Sequence, residues 1–200
     1  MFAFVSGNLA LDLAGTVQHR TTDRRDVLRE PDDMARWMVE AGVLDTPCEV
    51  TPAGLEAAKE LREALYRLAS AAAEPHPHEP HPHEPHPHES HLTGPRPAES
   101  QADREVVNRF AAAPPVGVRL DAAGRVERAG DLAAALSTVA RQAVELLGGT
   151  QAVRIKECGA EACTRLYVDT SRGGARRWCD MQECGNRAKA AGFRARHRAL

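Results

Sequence analysis

The chain has 200 residues, 26 lysines and arginines against 28 aspartates and glutamates, a net charge of −2 and aromatic residues at only 4%. That length allows one domain, or one moderate domain with a small appendix, and no uninterrupted apolar stretch approaches the roughly 18 to 20 residues a membrane helix needs. The near-neutral total hides an asymmetry: residues 151–200 hold eleven Lys/Arg against five Asp/Glu, leaving 15 against 23 for residues 1–150. A basic appendix on an acidic body predicts contact with a polyanion at one end of the molecule. The start, MFAFVSGNLALDLAGT, has no positive n-region, and Asp12 interrupts its apolar run. No secretory signal is therefore expected, and the protein reads as cytoplasmic.

In chain order, Phe2–Val5 reads as a short strand, and Leu9, Leu13 and Val17 stand at helical spacing over 8–17. Residues 19–29, with Arg20, Arg24 and Arg25, read as a solvated loop. Pro31-Asp32-Asp33 starts a helix with Trp37 and Met38 in its interior, ended by Gly42. Cys48, the fifth cysteine, falls in a loop with no neighbouring base and reads as a spare thiol. Thr51-Pro52 opens a second long helix to about Ala73, with Leu55, Leu61, Leu65 and Leu68 inward and Glu56, Lys59, Glu60, Arg62 and Glu63 on a solvated face.

From Glu74 the composition changes to EPHPH, repeated three times, and seven of the nine histidines lie here. Repeated proline disfavours helix, so residues 74–98 are expected to be an extended, disordered insert. Histidine tracts can hold Zn²⁺ or Ni²⁺, but ordering entropy for each ligand recruited favours a repeat-expanded surface loop. A helix follows from Ser100 to Ala112. Two strands, Val116–Leu120 and Arg125–Arg128, flank Asp-Ala-Ala-Gly124. Asp131 then caps a helix to about Leu147, with Leu132, Leu136, Val139, Ala140, Ala143, Val144 and Leu147 as its stripe. The fold class is α+β: a mostly helical domain with a small sheet over 1–150, and a separate C-terminal module over 151–200.

That module carries two cysteine pairs, Cys158 with Cys163 and Cys179 with Cys184, each with four residues between its members and fifteen between the pairs. The spacing suits four thiolates on one structural Zn²⁺, with no open position for catalysis. A segment with so few large apolar residues needs such a staple. Two disulfides or free thiols are the alternatives, and an intracellular setting weighs against the first. Cys158–Cys163 reads as a knuckle. Leu166–Val168 and Ala175–Trp178 read as the strands of a hairpin, and Asp180 with Glu183 as the start of a helix to about His197. Knuckle, hairpin and a helix bearing the last ligand make a treble-clef-like plan.

The run from Asp169-x-Ser171-Arg172 through Arg176-Arg177-Trp178-Cys179 to Cys184-Gly-Asn-Arg-Ala-Lys189 resembles the CGNR zinc-finger family of bacteria, and Leu9-Ala-Leu-Asp12-Leu-Ala-Gly15-Thr16 is similar to that family's Leu-x-Leu-Asp-Phe-x-Asn-Thr signature. Gly15 replaces the usual Asn, and Asp180 the common Ser. The resemblance implies a DNA-binding finger behind an ABATE-type N-terminal domain that regulates transcription under stress and senses a signal or small-molecule ligand. On the helix after Asp180, Arg187, Arg194 and Arg198 fall within about 40° of one another, with Lys189 and Arg196 nearly opposite and Ala188, Ala195 and Ala199 between. Arg172, Arg176 and Arg177 add charge from the hairpin. All eight are candidate contacts to double-stranded DNA, through phosphates or guanine edges. The competing use of this charge is solubility, or tethering of the acidic body. One finger offers few contacts, so a homodimer reading two half-sites is expected. The alternative function is a zinc-stabilised protein-interaction or dimerisation module that does not touch nucleic acid. An enzyme is not expected, because Asp12, His19 and Glu40 form no catalytic spacing.

Overall fold

Asn8 starts the first helix by accepting the Ala10 N–H at 2.9 Å, and α1 (Leu9–Ala14) turns Ala10, Leu11, Leu13 and Ala14 into the interior. The computed structural model describes residues 2–73 and 97–198. The histidine-proline insert predicted over 74–98 lies outside the described residues as far as 96, whereas Pro97 and Ala98 already belong to a helix. β1 (Val17–Gln18) pairs antiparallel with β2 (Arg25–Asp26). Next, α2 (Pro31–Glu40) begins with a reciprocal cap between Glu30 and Asp33 and is stopped by Gly42 at φ +69°.

Thr51 Oγ1 accepts from Gly54 N–H at 3.1 Å to cap α3 (Pro52–Ala72). The body continues with α4 (Pro97–Ala111), the antiparallel pair β3 (Gly117–Leu120) and β4 (Val126–Ala129), and α5 (Leu132–Gly148), capped by the Asp131 carboxylate. Helices α1 to α5 close on one core in which Leu13, Met34, Trp37, Met38, Leu61 and Leu136 are no more than 2% exposed. Burying each such side chain is worth about 1.5–3 kcal/mol. The mostly helical α+β body is as the residue pattern predicts.

Five details differ. Helix α1 ends at Ala14, so Val17, expected on its apolar face, stands on β1 instead. Arg62 is not on the solvated face of α3: its side chain is 2% exposed and forks onto Asp26, Nη1 to Oδ1 and Nη2 to Oδ2, both at 2.8 Å. Arg20 likewise turns in from its loop, donating to Glu63 at 2.5 Å with its guanidinium 3.8 Å from the centre of the Tyr66 ring. On α5, Val144 faces solvent and Leu146 takes the inward place. Residues 2–5 form no strand, and their carbonyls serve the C-terminal region instead: Ala3 O accepts from Arg165, Val5 O from Arg176, and the next residue's carbonyl, Ser6 O, from Val168 N–H.

In the C-terminal region, β5 (Ile155–Glu157) pairs antiparallel with β6 (Leu166–Val168), in the register Ile155↔Val168 and Glu157↔Leu166. The predicted pairing of Leu166–Val168 with Ala175–Trp178 does not form. A single π-helical turn, Met181–Gly185, leads into α6 (Asn186–Arg198). A second core gathers Leu11, Ala69 and Leu146 from the body with Ile155, Leu166 and Val168. The expected boundary near residue 150 is thus crossed by shared burial.

Candidate metal centre

The two strands β5 and β6 hold the knuckle between them. Cys158 N–H donates to Arg165 O at 2.9 Å, and Cys163 N–H to Ala160 O at 3.0 Å. The turn needs Ala162 at φ +61°, a left-handed conformation that L-residues adopt at a cost. Gly159 N–H donates to Arg177 O at 2.9 Å, and a Cβ at Gly159 would lie 3.3 Å from that oxygen and 3.5 Å from the Trp178 ring. The 175–178 segment is thereby tied to the knuckle instead of pairing with β6.

The second cysteine pair stands where that segment enters the helix. Asp180 accepts from Gln182 and Glu183 N–H at 3.2 and 3.0 Å, so the substitution of Asp for the family's Ser keeps the cap. Cys184 sits on the π turn. Gly185 beside it leaves no room for a Cβ, which would meet Met181 Sδ at 2.9 Å and Trp178 Cδ1 at 3.2 Å. Asn186 donates its amide back to Gln182 O at 2.9 Å, satisfying a carbonyl where the wide turn gives way to α6.

These elements bring the four sulfurs of Cys158, Cys163, Cys179 and Cys184 within 4.8 Å of one another. Cys163 to Cys179 is 3.9 Å and Cys179 to Cys184 is 3.6 Å. A tetrahedron of thiolates about 2.3 Å from zinc has sulfur edges of about 3.8 Å, so the donor set and its size fit Zn²⁺. Three of the cysteines are buried and Cys163 half-buried, with Val5, Tyr167 and Trp178 packed around them. The Cys179 N–H donates to Cys158 Sγ at 3.3 Å, a bond that stabilises a thiolate.

Without a cation the four sulfurs cannot share their charge. Hydrogen bonds from Cys163 and Cys179 pull Cys158 down to about 2. The Cys158 sulfur in turn raises Cys163 and Cys179. Burial, followed by the negative neighbours, pushes Cys184 up to about 12. Crowding of the four sulfurs thus opposes their joint ionisation, and a divalent cation is what offsets that repulsion. Cys48 is separate: it is half-buried against the main core, and burial pushes its thiol up, which disfavours the reactive thiolate.

Around the sulfurs runs a polar frame. Asp169 is 1% exposed and accepts from Lys156 Nζ at 2.9 Å, Ser171 Oγ at 2.6 Å, Ser171 N–H at 2.9 Å and Arg176 N–H at 3.1 Å. Burial opposes its ionisation, but these donors, led by the Ser171 hydroxyl, hold its carboxyl well below the usual range. Tyr167 donates its hydroxyl to Arg176 O at 2.6 Å. Lys156 and the strand that carries it had no sequence-level signal beyond the short alternation of Ile155-Lys-Glu.

The eight arginines and lysines predicted to meet DNA divide. Arg172, Arg177, Arg187, Lys189 and Arg194 are exposed, and Arg177 lies over the Trp178 ring at 5.3 Å. Arg176 turns inward, donating to Trp178 O, Cys179 O and Val5 O with its guanidinium 4.5 Å from the Tyr167 ring centre; it closes the finger on the body. The side chains of Arg196 and Arg198 lie outside the described residues. Asp12 of the N-terminal signature, buried and raised by that burial, accepts from Ser6 N–H at 3.0 Å, fixing the Ser6 carbonyl that meets Val168. At Gly15 a Cβ would stand 2.9 Å from Arg165 Nη1, so the small residue makes room for the arginine that grips Ala3.

A cysteine knuckle between paired strands, a fourth sulfur on a helix-entering turn and a tetrahedral gathering of thiols define a small zinc finger. The C-terminal region matches the CGNR zinc finger over residues 154–197, and such a finger with four cysteines this close carries one structural Zn²⁺. Residues 7–150 match ABATE, described as "putative stress-induced transcription regulator", and the chain belongs to that family. No curated protein is significantly similar to it. Neither family description is that of an enzyme. No helix among the described residues is long and apolar enough to cross a membrane.

Proposed function

We propose that this protein is a zinc-dependent, DNA-binding transcription regulator, with Cys158, Cys163, Cys179 and Cys184 as the ligands of one structural Zn²⁺. In this reading residues 151–200 form the finger and residues 1–150 the regulatory domain. The observation that carries it is the state of α6: Arg187, Lys189 and Arg194 are exposed, while the body that bears them is acidic. Among the described residues no carboxylate forms an ion pair with these three side chains, and such basic groups on a net-negative protein support a polyanion as partner. Arg172, Arg177, Arg187, Lys189 and Arg194 are the proposed contacts, with Arg196 and Arg198 further along the same helix; Arg176 is assigned to the fold. A single finger binds weakly at physiological salt, so the working species is a homodimer on two half-sites.

Selection from random duplex oligonucleotides with the zinc-loaded full chain tests this. A recovered motif with two-fold symmetry is the expected result; no enrichment over the zinc-free protein would refute it. A second reading, a docking module for another protein, draws on the hairpin face of Val118, Leu120 and Val126, which are 67, 70 and 47% exposed. Cross-linking in cells separates the two by whether α6 is attached to DNA.

A further inference from the structure

In the N-terminal region arginine is generally neutralised by a carboxylate: Arg20 by Glu63, Arg62 by Asp26, Arg67 by Asp103, Arg109 by Glu60. Arg25 is an exception. It is exposed, and among the described residues no carboxylate lies within ion-pair distance of it. It also borders a cleft of about 290 Å³ between body and finger, lined on one side by His19 and Arg25 and on the other by Arg165 and Arg187, with Asp180 and Glu183 along the finger wall. Arg165 is held by Ala3 O at 3.1 Å. Among the described residues no carboxylate lies within ion-pair distance of Arg187 either, although Asp180 and Glu183 line the same cleft. Two unneutralised guanidinium groups therefore face one opening from two different elements.

The backbone on the Arg25 side of the cleft is held in place. Arg25 lies on β2, paired with Gln18. The loop before it is pinned to the finger by Arg20 N–H donating to Thr164 Oγ1 at 3.1 Å, and to the body by the Arg20–Glu63 pair. Loop entropy is thus largely lost before a ligand arrives, while the two exposed arginine side chains still have to order on binding.

We infer that the N-terminal region itself touches DNA: Arg25 and Arg187 clamp one backbone phosphate at the mouth of this cleft, from opposite sides. The inference rests on the DNA-binding reading above and adds a contact from outside the finger. A phosphodiester suits the site better than a free anion. Asp180, Glu183 and the cysteine sulfurs repel an anion that would enter alone, whereas a phosphate of a duplex already held by α6 is brought to the mouth by the remaining contacts.

The test is fluorescence anisotropy of the zinc-loaded full chain on a random-sequence duplex, across a potassium chloride series, with Arg25→Ala, Arg187→Ala, the double variant, Arg25→Lys, and Arg104→Ala as an exposed control outside the cleft. Arg25→Ala is expected to weaken binding roughly threefold to tenfold and to make the log–log salt slope shallower by up to about 0.9. The double variant should lose about one phosphate's worth of slope and not two, because both residues hold the same phosphate. Arg25→Lys should recover most of the affinity and Arg104→Ala should change nothing. Arg25→Ala binding like wild type, or Arg104→Ala producing the same loss, overturns the clamp while leaving the finger as a DNA reader. Wild type that binds no duplex overturns the DNA-binding reading itself.

Discussion

The body and the finger reach their folds by different means. In the body, Trp37, Met34, Met38, Leu61 and Leu136 are almost wholly withdrawn from water, and the main charged intrusion, Arg62, is matched by Asp26. The finger has one buried aromatic ring, Tyr167, three short apolar strand residues and four cysteines. Its polar interior of Asp169, Lys156 and Arg176 orients the chain but supplies little burial. A domain core supports the first region, and a metal must support the second. The two are nevertheless joined, since Leu11 and Leu146 share a core with Ile155, Leu166 and Val168, and Val5 reaches the cysteine cluster.

That contrast can be broken from the metal side with the largest effect. Removing zinc with a chelator, or replacing Cys179 by Ser, is expected to unfold the finger, since a structural zinc contributes apparent binding free energies of about 10–16 kcal/mol. Amide spectra should lose dispersion over 155–190 while the α2, α3 and α5 resonances persist. The melting temperature of the body should fall by a few degrees, as the shared core around Leu11 opens; a body unaffected by zinc removal would mean the shared burial contributes nothing.

The second way acts on the body alone. Arg62→Ala leaves Asp26 without its partner and opens space under β2, which should cost about 3–5 kcal/mol. Urea titration should show this loss, with zinc content unchanged. Within the finger, Asp169→Asn should be milder, about 1–3 kcal/mol, because it weakens several charge-assisted hydrogen bonds at once. Its pH dependence has a definite sign. The Asp169 carboxyl is held below its unfolded value, so its contribution is fully present above about pH 4–5 and fades as pH falls toward the folded value. The difference in stability between wild type and Asp169→Asn should therefore shrink on acidification. The smallest effect expected is Asp180→Ala, which removes the cap of the π turn and should cost about 1 kcal/mol.

Local signals carried most of the body. Asp131 accepts the N–H group that its capping position predicts, and the helices opened at Pro31 and Pro52 start where expected, because such signals involve residues only a few positions apart. The cysteine spacing was readable for the same reason: knuckle and helix turn each bring two sulfurs together locally. What escaped were partners brought from a distance. Arg62 falls on the stripe of Leu55, Ala58, Leu65 and Ala69, which signals burial, but nothing near it in sequence announces Asp26. Ile155–Glu157 is too short to show a period, and its pairing with Leu166–Val168 depends on the knuckle between them. Arg176 sits in a basic run that reads as a DNA-facing surface. Only the fold of residues 3–5 behind it shows why it points inward.

X-ray absorption at the zinc edge, on the full chain carrying one equivalent of metal, addresses the four-sulfur site without intermediaries. Four sulfur scatterers at about 2.3 Å and no nitrogen or oxygen in the inner shell is the expected result. A shell containing nitrogen or oxygen, or one that survives unchanged in Cys184→Ser, would contradict the assignment of the finger's stability to these cysteines.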